Sequence, residues 1–308
     1  MNSLLILGEK HSFSKLELKK LKNRFPKIDF VKYNNLEVKD VIENISFTLD
    51  RKNNTLMLLN TKVVIPNKLL SYLTKLEQKG INYITIQSFM ERYLYKCYIP
   101  SELTDISFLE NIKPFSIYRK IVKYIIDYSL AISLAIIGSP VAIYSIYRIK
   151  KESKGTIFFK QTRVGLYGEE FTCYKFRSMH ENSPHDPYTR ENDDRVFPWG
   201  NIMRKTRIDE LPQIWNVLKG DMSIIGPRAE WNILVKNYEE EIPYYQERHL
   251  IKPGITGWAQ VNYHYGTNGY DAKQKLMYDL YYIKRWNLWL EIRCVWRTVL
   301  IIIGKKGL

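Results

Sequence analysis

The chain has 308 residues, 45% of them hydrophobic and 26% charged, a balance that excludes a disordered chain and leaves room for two ordinary domains. Lysine and arginine total 47 against 32 acids, a formal charge of +15. That excess points to an anionic partner: a phosphorylated substrate, an acidic membrane surface or nucleic acid. Three scattered cysteines, Cys97, Cys173 and Cys294, exclude a disulfide framework and a CxxC metal pair.

At the N-terminus, MNSLLILGEKHSFSK has only a five-residue apolar core before an acid. No signal peptide is expected there, and the chain is expected to start in the cytosol. Residues 1–96 alternate between strand-like runs, SLLIL, IDFVKY, TLMLL and INYITI, and helix-like ones. The clearest helix is NKLLSYLTKLEQKG, with Leu69, Leu70, Leu73 and Leu76 apolar and Gly80 as its stop. This order predicts a small parallel α/β domain, Rossmann-like in type. GEKHS after the first strand is not GxGxxG, so a regulatory or docking role is expected in preference to a nucleotide site.

A linker with Pro100 and Pro114 is expected over 97–118, then a membrane segment over 119–150. The run IVKYIIDYSLAISLAIIGSPVAIYSIYRI exceeds the length of a spanning helix, yet Ser139 and Pro140 interrupt it. Its halves would reach roughly 22 Å and 14 Å, short of a hydrocarbon core of about 30 Å. Arg119, Lys120 and Lys123 lie before it, and Arg148, Lys150, Lys151 and Lys154 at or after its end. The positive-inside tendency holds both ends in the cytosol. These observations predict a re-entrant helix broken at Ser139-Pro140, with the Ser139 hydroxyl available to a freed carbonyl; a kinked spanning helix is the competing reading. Asp127, four residues after Lys123, is placed to pair with it.

Residues 151–308 read as a second, mostly helical α+β domain. All seven tryptophans lie beyond residue 198. The closing run WNLWLEIRCVWRTVLIII, with Trp286, Trp289, Trp296, Arg293 and Arg297, suits an amphipathic helix in the headgroup region, against a buried core helix.

Within this domain RKTRIDELPQIWNVLKGDMSIIGPR (204–228) sets Asp209 and Glu210 beside Arg204, Lys205 and Arg207. An ordinary N-cap is one explanation of Asp209, because Leu211, Ile214, Trp215 and Leu218 keep helical spacing and Pro212 falls in a first turn. The density of cations, the helix N-terminus and Arg228 after a Gly226-Pro227 turn favour phosphoryl transfer instead. Neighbouring acids do not share a helix face, so different roles are expected for the two. His180, His185, His249 and His264 are scattered, and no zinc site is expected.

Several long motifs occur in order: IVKYIIDYSLAISLAIIGSP, GTIFFKQTRVG, YKFRSM, the 204–228 run, KPGITGWAQVN and YDLYYIKRW. Through them the chain, from about Phe115 onward, resembles the bacterial sugar transferases, monotopic polyprenyl-phosphate phosphoglycosyl transferases. MERYLYKCYIP resembles the end of an accessory domain of longer members. The resemblance implies the re-entrant helix and a covalent mechanism on the cytosolic face of the bacterial inner membrane. Asp209 is the implied nucleophile and Glu210 its partner. UDP-sugar and polyprenyl phosphate are the implied substrates, Mg²⁺ at Asp209 the implied cofactor, and membrane lipids the surroundings.

Arg204 and Arg228 match phosphate-binding positions. Lys175 and Arg177 resemble further phosphate or uridine contacts, against a solvated strand face, and Arg163, Gln260 and Asp279 are weaker candidates. An aspartate with a reference pKa near 3.9 needs no general base for the first step.

Where many relatives have GPRP, this chain has Gly226-Pro227-Arg228-Ala229, and a looser backbone after Arg228 is expected. The stretch after Val261 resembles exopolysaccharide-type members and leans towards glucose or galactose. The N-terminal domain is the expected contact of a homodimer. A non-catalytic scaffold and a nucleic-acid binder are the rival readings; no nucleic-acid-binding motif supports the latter.

Overall fold

The computed structural model describes residues 3–33, 37–49, 55–62, 64–100, 108, 110, 112–181, 183, 193–263, 266 and 268–304. His185, His264 and much of the expected linker (101–107, 109 and 111) lie outside them. The chain divides into two compact units, Met1–Tyr98 and Ile99–Leu308.

In the first unit, β1 (Ser3–Leu7), β2 (Lys27–Val31), β3 (Thr55–Leu59) and β4 (Asn82–Thr85) alternate with α1 (Lys15–Lys22), α2 (Val38–Leu49) and α3 (Asn67–Gln78), and a short α4 (Ile86–Phe89) follows. The four strands form one parallel sheet in the order β2-β1-β3-β4. Leu5, Leu7 and Met57 of the sheet meet Val41 and Ile45 of α2 and Leu69, Leu73 and Leu76 of α3. Leu70, expected on the same apolar stripe, points to solvent. Gly80 ends the α3 region at φ +88°, a left-handed conformation that glycine adopts without Cβ strain.

The second unit is mostly helical. It opens with α5 (Ile117–Glu152), continues through the antiparallel pair β5 (Phe158–Val164) and β6 (Glu170–Phe176), then α6 (Pro198–Thr206), a single 3₁₀ turn (Ile208–Glu210) and α7 (Gln213–Lys219). Next come β7 (Ser223–Ile225), α8 (Asn232–Glu241), β8 (Gly254–Thr256), α9 (Trp258–Asn262), α10 (Gly269–Arg285) and α11 (Leu288–Ile303). Strands β7 and β8 pair in parallel. A Cβ on Gly226 would meet the Lys252 carbonyl oxygen at 2.5 Å, so glycine is what allows that crossing to close.

The expected break at Ser139-Pro140 is not an end of the helix: α5 runs unbroken through both residues. Proline removes the hydrogen bond to the carbonyl of Ile136, four residues back, and the Ser139 hydroxyl donates to that same oxygen at 2.9 Å. The local substitute keeps the helix wound. Most of the apolar surface of α5 is exposed, including Ile125, Ile136, Ile137 and Ile143. One stripe packs inward, where Ala142, Ile146 and Ile149 join Phe176, Phe197, Met203, Ile208 and Leu211.

A buried ion cluster docks the first half of α5. Lys123 Nζ donates to Asp127 Oδ1 at 2.8 Å and to Glu291 Oε2 of α11 at 3.0 Å. Asp127 Oδ1 also accepts from the Ile224 amide of β7 at 3.0 Å. Glu291 Oε1 in turn accepts from Trp286 Nε1 at 2.7 Å and from the Tyr282 hydroxyl. Trp286 is therefore a core residue packed on Phe115, not part of an interfacial belt. Trp289, Ile292, Trp296, Leu300 and Ile303 of α11 remain exposed on its other side, an amphipathic arrangement.

Replacing Lys123 by alanine leaves two carboxylates facing each other in a buried site. A loss of about 3–5 kcal/mol is expected, measured by denaturant unfolding in detergent. A Lys123→Ala protein as stable as wild type removes this cluster as the anchor of α5.

Candidate active site

The chain reverses sharply between α6 and α7. Arg207 takes a left-handed conformation (φ 60°), which non-glycine residues adopt only when their surroundings hold them there. Ile208–Glu210 then form the 3₁₀ turn. Ile208 and Leu211 anchor the turn in the core shared with α5. Between them, Asp209 and Glu210 project differently. Asp209 caps no helix: the residue before α7 is Pro212, and it makes no side-chain cap. The amides of Glu210 and Leu211 are spent on the carbonyls of Arg207 and Ile208, so the positive groups gathered here are side chains and not free amides of that turn.

Glu210 is buried and collects cations. Lys175 Nζ from β6 donates to its Oε1 at 2.8 Å, Arg207 at 3.4 Å, and Arg228 NH1 lies 3.8 Å away. Burial would raise the pKa of Glu210, but Lys175, Arg228 and Arg207 outweigh it and hold the carboxyl well below the usual range. Asp209 is shifted the other way: burial pushes its carboxyl up, the Glu210 anion adds to this, and Lys175, Arg207 and Arg204 do not cancel it. Its Oδ1 is buried with no hydrogen-bond partner. A desolvated acceptor of this kind is costly unless a ligand completes it.

Asp209 lines a cleft of about 830 Å³ that also takes in Lys175, Arg204, Arg228, Arg163 and Glu230. Arg204 carries the electrostatic field of Asp209, and burial lowers its pKa. Arg163, on β5, donates to Gln161 Oε1 at 2.7 and 3.1 Å and to the Ala229 carbonyl.

Arg177 lines the cleft, and Gln260 does not. The Arg177 guanidinium is buried and donates to the carbonyls of Thr156 at 2.5 Å and Ser153 at 2.9 Å, to Ser153 Oγ at 2.6 Å and to the Met179 carbonyl at 3.2 Å. Four of its five N–H donors thus tie the end of α5 to β6 at the edge of the cleft. Gln260 is not among the residues lining the cleft; its Nε2 donates to the Ile255 carbonyl at 2.9 Å beside the β7–β8 crossing.

Asp279 acts at one remove. It accepts from Arg248 NH2 at 2.9 Å, and the same nitrogen donates to the Arg228 carbonyl at 3.0 Å. Burial pushes Asp279 up to about 6, against the pull of Arg248. Arg248 carried no motif in the sequence and is visible as a support of Arg228 only in three dimensions.

The loosening expected from Ala229 does not occur. The carbonyl of Pro227 accepts from the Gly254 amide at 2.8 Å, that of Arg228 from Arg248, that of Ala229 from Arg163, and that of Glu230 from the Val164 amide at 3.1 Å. Four consecutive anchors fix this backbone without the second proline.

Among the described residues, no three His, Cys, Asp or Glu side chains converge as a cage. One orphaned carboxylate oxygen beside an anion-binding cleft fits Mg²⁺, which binds through one or two carboxylates together with substrate phosphates.

The long apolar helix α5 packs against the turn that carries the acid pair, and the cleft beside it joins Asp209 to several cations. The chain matches the bacterial sugar transferase family over residues 118–305 and belongs to it. It is 42% identical over 201 residues to the UDP-N-acetylgalactosamine-undecaprenyl-phosphate N-acetylgalactosaminephosphotransferase of Aeromonas hydrophila, covering 65% of this chain and 47% of that protein. It is 42% identical over 195 residues to the UDP-glucose:undecaprenyl-phosphate glucose-1-phosphate transferase of Xanthomonas campestris pv. campestris, covering 61% and 40%. It is 36% identical over 205 residues to the undecaprenyl-phosphate galactose phosphotransferase of Salmonella typhimurium, covering 61% and 42%. The match spans less than half the length of each of these relatives.

Coupling within the pair is measurable by carboxyl NMR. Asp209 is expected to titrate above an ordinary aspartate in the wild type and lower in Glu210→Gln, because the neighbouring anion is gone and Lys175 is released. A midpoint that does not fall in the variant refutes the described division between the two acids.

Proposed function

We propose that the chain transfers a sugar 1-phosphate from a UDP-sugar to polyprenyl phosphate, releasing UMP through a phosphosugar bound to Asp209. One observation carries the reading: Asp209, with a buried carboxylate oxygen that has no partner, lines a cation-lined cleft, while Glu210 holds the cations beside it. The names of the relatives, which act on undecaprenyl phosphate with different sugars, support the substrate classes.

In the first half-reaction an Asp209 oxygen attacks the phosphorus that bears the sugar. A bond forms between that oxygen and phosphorus, the bond from phosphorus to the bridging oxygen breaks, and UMP departs with the bridging oxygen. Lys175, Arg204 and Arg228 line the cleft as the groups that offset repulsion between the aspartate and the diphosphate. In the second half-reaction a polyprenyl phosphate oxygen attacks the same phosphorus, the bond to Asp209 breaks, and the carboxylate is regenerated. The acceptor is already anionic, so no base is required. Mg²⁺, held by Asp209 and the substrate phosphates, would neutralise further charge on the diphosphate.

Membrane attachment follows in the same reading. In this reading the exposed apolar surface of α5 enters the bilayer, and a bend of the continuous helix at Pro140 turns it back, which keeps the basic residues at both ends on the cytosolic face of the bacterial inner membrane. The exposed tryptophans of α11 lie at the interface, against membrane lipids. The N-terminal unit serves as a Rossmann-like accessory domain and as the contact of a homodimer; its parallel sheet supports the first of these assignments.

Asp209→Asn is expected to abolish UMP release from UDP-sugar, and wild-type protein given radiolabelled donor without lipid is expected to retain sugar phosphate on Asp209. Near-normal turnover in the variant dismisses the nucleophile. For the membrane path, labels placed at residues 1 and 308 are both expected to be shielded from a periplasmic reagent; labelling from opposite sides establishes a span instead.

A further inference from the structure

Besides Asp209 the cleft is lined by Glu181 and by Glu230, and Glu230 is one that the phosphate chemistry leaves unused. Its direction follows from the backbone. Arg228 bridges Gly254, Trp231 bridges Arg163, and the Glu230 carbonyl accepts from Val164, so residues 228–231 run as extended chain. Successive side chains of such a segment point to opposite sides. Arg228 and Glu230 accordingly both reach the cleft, about 7 Å apart along the chain, while Ala229 between them is 3% exposed and faces the core.

The surroundings of Glu230 are cationic, yet no cation is spent on it. Burial would raise its pKa, but Arg248, Arg228, Lys275 and Arg163 together hold the carboxyl below the usual carboxylate range. Each of these has other partners: Arg248 binds Asp279 and the Tyr245 hydroxyl, Arg163 binds Gln161, Lys275 donates to the Gly266 carbonyl, and Arg228 approaches Glu210. Among the described residues, none makes a hydrogen bond or ion pair with the Glu230 carboxylate. Glu230 is thus a half-buried carboxylate in a cationic setting, with no protein partner among the described residues.

An ionised carboxylate can only accept hydrogen bonds and repels phosphate. The part of a ligand that faces it must therefore carry donors and no negative charge. A hexose offers this through its hydroxyls, and Trp231 and Tyr238, in the same cleft, supply flat apolar surfaces for a sugar ring. Resting on the reading of the site as a UDP-sugar site, we propose that Glu230 is a specificity-determining residue that accepts hydrogen bonds from hydroxyls of the donor hexose. Arg228, two residues earlier, holds the adjoining diphosphate. One extended segment thus reads both the charged and the uncharged half of the transferred group.

The test uses purified full-length wild type, Glu230→Gln and Glu230→Asp. UMP release is followed from UDP-glucose, UDP-galactose, UDP-N-acetylgalactosamine, monodeoxy analogues of the preferred sugar, and a donor with 2′-deoxyuridine. Glu230→Gln is expected to lose about 10- to 100-fold in kcat/KM with the preferred donor, as for a hydrogen bond to a charged group. That loss is expected to shrink to near unity with the one deoxy-sugar lacking the hydroxyl held, while UMP binding by calorimetry stays unchanged. Glu230→Asp is expected to recover part of the loss. An equal loss across all donors, no loss at all, or a loss that disappears only with the deoxyuridine donor overturns the assignment to the sugar. A wild type that releases no UMP from any donor removes the reaction itself and this inference with it; an active wild type with an indiscriminate Glu230→Gln overturns the inference alone.

Discussion

The buried carboxylate of Glu210 is the constraint from which the rest of the site follows. Lys175, Arg207 and Arg228 come from a strand, a left-handed turn and an extended segment, and without an anion between them they would repel one another. Two unit charges 4 Å apart near a protein surface interact by about 4 kcal/mol, so assembling three cations needs a fixed counter-charge. Glu210 supplies it and is held ionised in return. Its neighbour Asp209 bears the opposite consequence: it shares the buried turn and the repulsion of Glu210, and at the wall of the cleft it keeps a buried oxygen without a partner. Two adjacent acids are thereby driven apart in pKa, the arrangement by which active sites commonly assign distinct roles to like groups.

The cluster stays in place because its supports are backbone hydrogen bonds and core packing. Arg228 sits on a segment in which four consecutive carbonyls are anchored, one of them through Arg248 and its buried partner Asp279. Arg163 contributes in the same way, through the Ala229 carbonyl. Several cations that a sequence reader assigns to the ligand are thus shared between binding it and holding the frame.

Helix α5 belongs to the same construction. Ile208 and Leu211, on either side of the acids, pack with Ala142, Ile146 and Ile149 of α5. The Tyr128 hydroxyl donates to the Leu218 carbonyl at the far end of α7 at 3.0 Å, and the Lys123–Asp127–Glu291 cluster fixes the start of the helix. The turn carrying Asp209 is therefore seated on the long apolar helix. In the proposed reaction this fixes the height of the nucleophile above the lipid acceptor.

Strand and helix identities of the N-terminal unit, the apolar character of α5, the pairing of Lys123 with Asp127 and the interest of Asp209 and Glu210 were all legible in the sequence. Each rests on periodicity or on residue spacing within a few positions, which the chain carries locally. Tertiary structure alone decided which acid is paired and which keeps an oxygen without a partner, that Arg177 spends most of its donors on the frame at the edge of the cleft that Glu230 also lines, and that Ala229 leaves its backbone firm. It also decided that Ser139 repairs the helix at Pro140 and that Trp286 belongs to the core. The physical reason is common to all of these: desolvation and hydrogen-bond satisfaction depend on partners far away along the chain, such as Lys175 for Glu210 and Arg248 for Arg228, and no local pattern announces them.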